Sequence, residues 1–221
     1  MRKTLVAAAA ITTLLLAGAA NAQVTVGTAT PNNGNCFPFG CGFPTSYLSQ
    51  YNAAAFSGTI NIGSITFFHT AYQPGQGTYS NGTYMMRLGV TSNAMGNIGN
   101  TSGIDNVVAY QNFGSFTLSN ASAATSTLSF TGSAFSYDPT AGNLLLDIQT
   151  VYAGGGGGVY LDMDNSANVC RNYSTGSDCG GGLVTQFDPA QSTVPEPASI
   201  ALVAAGLAGM FGFARRRNRT N

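Results

Sequence analysis

Tyr84-Met-Met-Arg-Leu-Gly-Val-Thr91 alternates with a period of two. Tyr84, Met86, Leu88 and Val90 fall on one face of an extended chain, with Met85, Arg87, Gly89 and Thr91 on the other. That period marks a strand with one face toward a core. Ser80-Asn81-Gly82 just upstream has the composition of a turn.

The same pattern extends in both directions. Ile60 and Ile62, then Ile65 and Phe67, read as a strand pair interrupted at Gly63. Downstream, Leu128 and Phe130 alternate with polar residues, and Phe135 and Tyr137 follow Gly132. Leu144, Leu146 and Ile148 alternate with Leu145, Asp147 and Gln149. Val159 and Leu161 begin another strand, and Leu183 to Phe187 form a last one. Breakers recur along the chain at Pro74-Gly75, Asn81-Gly82, Gly96-Asn97, Gly103, Gly114, Gly132, Asp138-Pro139 and Gly154 to Gly158. No helical period of useful length competes. The expectation is an all-β body of nine or ten short strands in a two-sheet antiparallel sandwich, or a jelly roll.

Charge narrows the function. Only 7% of the 221 residues are charged, against roughly 25% in an ordinary soluble protein. The region 23–194 holds two cations, Arg87 and Arg171, and seven aspartates, for a net charge of −5. An acidic body without a basic patch argues against nucleic-acid binding. The other basic residues cluster at the two ends.

At the N-terminus, Arg2-Lys3 precedes an apolar run from Leu5 to Leu16 broken only by Thr12 and Thr13. Ala20-Asn21-Ala22 then supplies a small-x-small cleavage box. Residues 1–22 read as a secretory signal peptide, with a mature start at Gln23. The competing reading is a first transmembrane helix. The short apolar run and the cleavage box favour the signal peptide and use of the secretion machinery.

Four cysteines suit an oxidising compartment. Three connectivities are open. The local one, Cys36 with Cys41 and Cys170 with Cys179, is favoured because it closes two small loops. A zinc site is the alternative, but four and eight intervening residues do not match the usual paired knuckles.

At the other end, Val194-Pro195-Glu196-Pro197 is followed by seventeen uncharged residues, Ala198 to Ala214, and then by Arg215, Arg216, Arg217 and Arg219. A helix of that length spans roughly 25 Å, near the lower limit for a bilayer core of about 30 Å. Six alanines and three glycines leave it only moderately apolar. It suits a transient inner-membrane stop held by the arginines, which stay on the cytoplasmic side. Residues 195–219 thus form a unit with Pro195, Glu196 and Pro197 at its head, and 23–194 lies outside the cytoplasm.

In these three parts the chain resembles the PEP-CTERM family of exported proteins. The resemblance implies recognition by exosortase, a membrane-embedded enzyme that would cut near Pro195-Glu196-Pro197. It also implies a cell-surface or extracellular destination beside exopolysaccharide in a biofilm or floc. Phe135-Ser-Tyr-Asp-Pro-Thr-Ala-Gly-Asn-Leu-Leu-Leu-Asp-Ile148 resembles a recurrent segment in the bodies of that family, as do Tyr47-Leu-Ser-Gln-Tyr51 and Ala55-Phe56. Physically the first reads as a hairpin, opened by Asp138-Pro139 and completed by Gly142-Asn143.

The body offers little catalytic chemistry. His69 is the only histidine, and no Gly-x-Ser-x-Gly elbow occurs. The glycine runs at 154–158 and 180–182 lack the Lys-Ser/Thr of a phosphate cradle. Glycosidases need two carboxylates on opposite sides of a bond; Asp162 and Asp164 lie two apart, on one face if they are in a strand, but most such pairs are solvated faces or metal ligands. A better reading is calcium, with oxygen donors at alternate positions on Asp162, Asp164, Ser166 and Asn168. The loop lacks the turn glycine and the distal glutamate, and a plain polar turn competes. The leading expectation is a non-enzymatic surface or matrix protein without a cofactor. The alternatives are a calcium-assisted carbohydrate-binding module and a secreted polysaccharide-degrading enzyme.

Overall fold

The computed structural model describes residues 22–41, 45–70, 77–98, 107–119, 121–122, 126–155, 157–173 and 176–191. Asn21–Ala190 forms one unit. Among the described residues it contains twelve strands: β1 (Val24–Val26), β2 (Ser46–Tyr51), β3 (Ile60–Phe68), β4 (Gly82–Thr91), β5 (Val107–Leu118), β6 (Thr127–Tyr137), β7 (Asn143–Ala153), β8 (Met163–Asp164), β9 (Val169–Tyr173), β10 (Gly176–Asp178), β11 (Gly182–Leu183) and β12 (Thr185–Pro189). They form a four-stranded sheet ordered β1-β12-β3-β6, a six-stranded sheet ordered β10-β9-β2-β7-β4-β5, and the pair β11-β8. Every pairing between these strands is antiparallel. The antiparallel all-β expectation holds.

The alternation on β4 places its apolar face as read. Tyr84, Met86 and Leu88 are wholly buried. Across β7 they meet Leu144, Leu146 and Ile148, and across the sheets Ile62, Ile65, Phe67 and Phe187 complete one core. On the opposite face of the six-stranded sheet, Leu48, Leu145, Ile98 and Cys170 form a second, smaller cluster. This is why Leu144-Leu145-Leu146 can be apolar without a break: both faces are covered at that row.

Ile60 to Phe67 is one strand rather than two. Its pairing with β6 slips between Ile62 and Ser64, so that Ile62 faces Phe135 and Ser64 faces Thr131. The bulge reverses the alternation, which lets Ile60, Ile62, Ile65 and Phe67 all face inward. Gly63 sits at the slip, where a Cβ would come within 2.4 Å of the Ala190 backbone.

Three other sequence expectations are corrected. The Phe135–Ile148 segment is not a hairpin of paired strands, because β6 pairs with β3 and β7 pairs with β2 and β4. It is an arch that carries the chain from one sheet to the other. Its turn chemistry is as read: Asp138 caps a 3-10 turn at Pro139–Ala141 by accepting from the Thr140 N–H. The Tyr137 hydroxyl donates to the Gly142 carbonyl at 2.8 Å. Second, Val159 and Leu161 do not begin a strand. Leu161 makes isolated bridges to Asn35 and His69, and β8 starts at Met163. Third, Leu183 to Phe187 is divided between β11 and β12, which lie in different sheets.

The cysteines pair locally, Cys36 with Cys41 and Cys170 with Cys179. The first loop carries Phe39 into the core against Phe67, Tyr84 and Phe130, with ring centroids 5.0–5.5 Å apart. The second borders the smaller cluster on the outer face. There Gln50 ties down the 93–96 loop by donating to the carbonyls of Asn93 and Ala94 and accepting from the Gly96 N–H.

The arch supplies a test. Gly142 has φ +134°, and a Cβ there would lie 2.3 Å from the Thr91 carbonyl, whereas Gly58 has open space. Gly142→Ala should lower stability by more than about 1 kcal/mol, and Gly58→Ala should leave it unchanged or raise it by about 0.4–1 kcal/mol. Thermal melts of the two variants check this, and equal effects would contradict it.

Candidate functional site

The aspartates singled out for calcium enter different bonding arrangements. Asp164 is buried. Its Oδ1 accepts from the Ser166 N–H at 2.8 Å and its Oδ2 from the Ser166 hydroxyl at 2.7 Å. Asn168 in turn donates to the Ser166 hydroxyl oxygen through Nδ2 at 3.0 Å. These bonds form the turn between β8 and β9. Asp162 is half-buried, and burial raises its carboxyl above the usual range, with a hydrogen bond from Thr70 pulling it back. The structure therefore joins Asp164, Ser166 and Asn168 and directs Asp162 to Thr70. Among the described residues no group of three or more His, Cys, Asp or Glu side chains comes together.

His69 bonds through Nε2 to the Tyr79 hydroxyl. On the outer face of the six-stranded sheet, Asp147 is saturated. Arg87 donates to its Oδ2 through Nε at 3.1 Å and also through Nη2, Gln149 donates to the same oxygen at 3.0 Å, and the Ser46 hydroxyl donates to Oδ1 at 2.7 Å. The Arg87 guanidinium lies 4.6 Å from the centre of the Tyr110 ring.

Arg171 is bound differently. Its side chain is 15% exposed, and the nearest carboxylate, Asp178, is 3.7 Å away and 56% exposed. Its Nε is buried without a hydrogen-bond partner, while the guanidinium hydrogen-bonds the buried Tyr47 side chain. The guanidinium lies 4.9 Å from the centre of the Tyr173 ring. Phe37 stacks on Tyr173 at 5.1 Å with 23° between the planes. Residue type alone did not reveal this site. The available signal was that the region 23–194 has only two cations, one of which the Arg87–Asp147 pair consumes.

A shallow groove of about 540 Å³ lies between the two 3-10 turns, lined by Ala53, Phe56, Thr59, Asp138 and Pro139 among others. The N–H and hydroxyl of Thr140 hold the Asp138 carboxyl below the usual carboxylate range.

Among the described residues no helix is long and apolar enough to cross a membrane. Of the signal-cleavage residues, Ala22 and Gln23 are described and exposed, and Ala20 lies outside the described residues. Pro195, Glu196, Pro197, Arg215, Arg216, Arg217 and Arg219 also lie outside them. Here the sequence decides. Residues 193–217 match the PEP-CTERM protein-sorting motif. The chain carries a PEP-CTERM sorting motif. The motif implies an exported protein that exosortase processes, with a membrane-associated sorting signal. The chain matches no curated protein and no solved structure. The PEP-CTERM match covers the sorting signal and does not extend into the body.

The 162–168 turn makes a prediction. Asp164→Ala should cost about 1–3 kcal/mol, because it removes the carboxylate that accepts two hydrogen bonds from Ser166. The loss should be the same with calcium and with a chelator, as read from melting temperatures. A wild-type melting temperature that rises with calcium, and fails to rise in Asp164→Ala, would instead make the turn a calcium loop.

Proposed function

We propose that this PEP-CTERM chain is a non-enzymatic surface or matrix protein, held transiently at the inner membrane and then delivered beside exopolysaccharide in a biofilm. The observation that carries the proposal is the sorting motif at 193–217, which follows directly on a folded body whose last strand ends at Pro189. We read that body as a two-sheet jelly roll. In support, β1-β12-β3-β6 and β2-β7-β4-β5 place successive strands in alternate sheets except at the β4–β5 pair, with β8 to β11 as an insertion before the last strand. β1 and β12 are neighbours and antiparallel, with Val24 opposite Phe187. The body therefore begins and ends at one end of the same sheet. Cleavage on either side would release it without breaking a strand.

The non-enzymatic reading rests on how the polar groups are used. His69 is bonded to Tyr79, Asp147 to Arg87, Ser46 and Gln149, and Asp164 to Ser166. Each makes a structural bond. General acid–base work needs a pair of groups converging on one reacting bond.

Fractionation of producing cells tests the proposal. The wild-type mature chain should begin at Gln23 and end near Pro195-Glu196-Pro197 by intact mass, and should partition with surface polysaccharide. Changing Arg215, Arg216, Arg217 and Arg219 to Gln removes charges that each cost about 2.5–3.5 kcal/mol at a bilayer centre. That precursor should slip through uncut into the periplasm or medium. Pro195→Ala with Glu196→Ala should instead accumulate uncut in the membrane fraction. If both variants distribute as the wild type does, the sorting account fails. If sorting proceeds but the mature chain stays free of polysaccharide, the matrix role fails.

A further inference from the structure

We propose that Asn33 is a site of spontaneous covalent modification. Its side chain closes on the Gly34 amide to a succinimide, which opens to aspartate or isoaspartate and loosens the chain ahead of β2. The inference is independent of the matrix role and concerns the folded body wherever it is delivered. Two Asn-Gly pairs occur in the chain, Asn33-Gly34 and Asn81-Gly82. Glycine has no Cβ to hinder attack by its nitrogen, so both pairs carry the reactive sequence. The fold separates them.

Asn33 is exposed. The Gly34 N–H donates to the Asn33 Oδ1 at 2.9 Å. That oxygen is one carbonyl bond, about 1.2 Å, from Cγ, so the contact holds the electrophilic carbon beside the nitrogen that attacks it. Packing fixes the glycine. A Cβ at Gly34 would come within 2.9 Å of the Thr70 methyl and 3.2 Å of the Leu161 carbonyl. The fold thus demands the small residue that makes its neighbour reactive.

Asn81-Gly82 is locked. Gly82 is buried and lies on β4 between Leu118 of β5 and Ala153 of β7. The Asn81 N–H donates to the Gly155 carbonyl, and its own carbonyl accepts from the Gly154 N–H. Ring closure there has to wait for the strand to open on both sides. Asn165-Ser166 is exposed but blocked in another way, because the Ser166 N–H is held by the Asp164 Oδ1 at 2.8 Å.

The reaction needs only water and hydroxide. The Gly34 nitrogen loses its proton to hydroxide and attacks the Asn33 Cγ. The N–Cγ bond forms, the Cγ–Nδ2 bond breaks, and ammonia leaves. Water then opens the ring, at Cγ to give aspartate or at the main-chain carbonyl carbon to give isoaspartate. Both products add a negative charge to an acidic body. Isoaspartate also inserts a carbon into the main chain close to Asn35. That residue is an anchor: its N–H and carbonyl both pair with Leu161 at 2.9 Å, and its side chain donates to the Tyr47 hydroxyl and the Gly181 carbonyl at 2.8 Å.

The test is ageing of the processed chain in neutral and mildly alkaline buffer, both folded and in denaturant. Isoelectric focusing reads the charge, and peptide mapping separates aspartate from isoaspartate. In the folded chain Asn33 should convert, faster as pH rises. It should outpace Asn81 by more than about tenfold, because opening β4 on both sides costs more than the ~1.4 kcal/mol that a factor of ten represents. In denaturant the two pairs should convert at similar rates. Asn33→Gln, which needs a larger ring, should remove most of the acidic shift of the folded chain. The isoaspartate fraction should melt below Asn33→Asp, which gains the charge without the extra carbon. The site is overturned if Asn33 stays intact in the folded chain while the denatured chain converts. It is equally overturned if Asn81 keeps pace with Asn33 in the folded chain, or if Asn33→Gln shifts as the wild type does. An isoaspartate fraction that melts with Asn33→Asp would overturn the loosening.

Discussion

Tyr51 on β2 reaches across the interior to Thr185 on β12, with 2.9 Å between their hydroxyl oxygens, while its ring meets Phe187 edge-on at 5.0 Å. This contact joins the six-stranded sheet to the four-stranded one, and the rest of the body repeats its chemistry. Large aromatic rings fill the space between the sheets, and the hydroxyls of several of the buried tyrosines find partners. Tyr84 donates to the Ser80 carbonyl, Tyr137 to the Gly142 carbonyl, and Tyr47 accepts from Asn35. Neutral hydrogen bonds of this kind contribute about 0.5–1.5 kcal/mol each, and aromatic pairs a similar amount beyond their buried area. With 7% charged residues in the chain, cohesion comes from these rings and their hydroxyls. Ion pairs add one well-made example, Arg87 with Asp147.

That constraint explains which parts of the architecture the amino-acid pattern disclosed. Tyr84, Met86, Leu88 and Val90 announce an inward strand face because alternation follows directly from the pleat. The turn at Asp138-Pro139-Thr140 is equally legible, since its cap is local. Partner choice is not local. The same Asp-Pro turn serves a hairpin or an arch, and only the sheet that each flanking strand joins separates them. The two-strand reading at Gly63 failed for a related reason. A bulge reverses the alternation just as a break would, and its cause, the close approach of Ala190, lies more than a hundred residues away in sequence.

The site shows the same division. Local cysteine pairing and the Ser166–Asn168 turn were within reach of spacing arguments, because their partners are near in sequence. The surroundings of Arg171 were not, since Tyr47 and Gly181 converge on it from opposite ends of the body. The sorting signal is the reverse case. Its information is linear, a Pro-Glu-Pro head, an uncharged stretch and an arginine tail, so residues 193–217 declare it without any fold. Address and body are thus written in different ways. The motif implies export and processing, and the body supplies a sparsely charged, disulfide-stapled β-structure.

The central claim, that a phenol-rich core between the sheets holds the body together, is most directly tested by an alkaline titration. Absorbance of the tyrosinate is followed together with far-UV circular dichroism. Burial between the sheets raises the phenols of Tyr47, Tyr51, Tyr79, Tyr84 and Tyr137, with Tyr51 and Tyr84 pushed up to about 12. Unfolded tyrosines ionise near pH 10. Above that pH the unfolded chain sheds protons that the folded core retains, so stability is complete below pH 10 and falls as pH rises toward 12. The expected result is that these five of the ten tyrosines ionise only together with loss of the β-sheet signal. Ten phenols titrating reversibly near pH 10 with the sheet signal intact would contradict a sealed aromatic core.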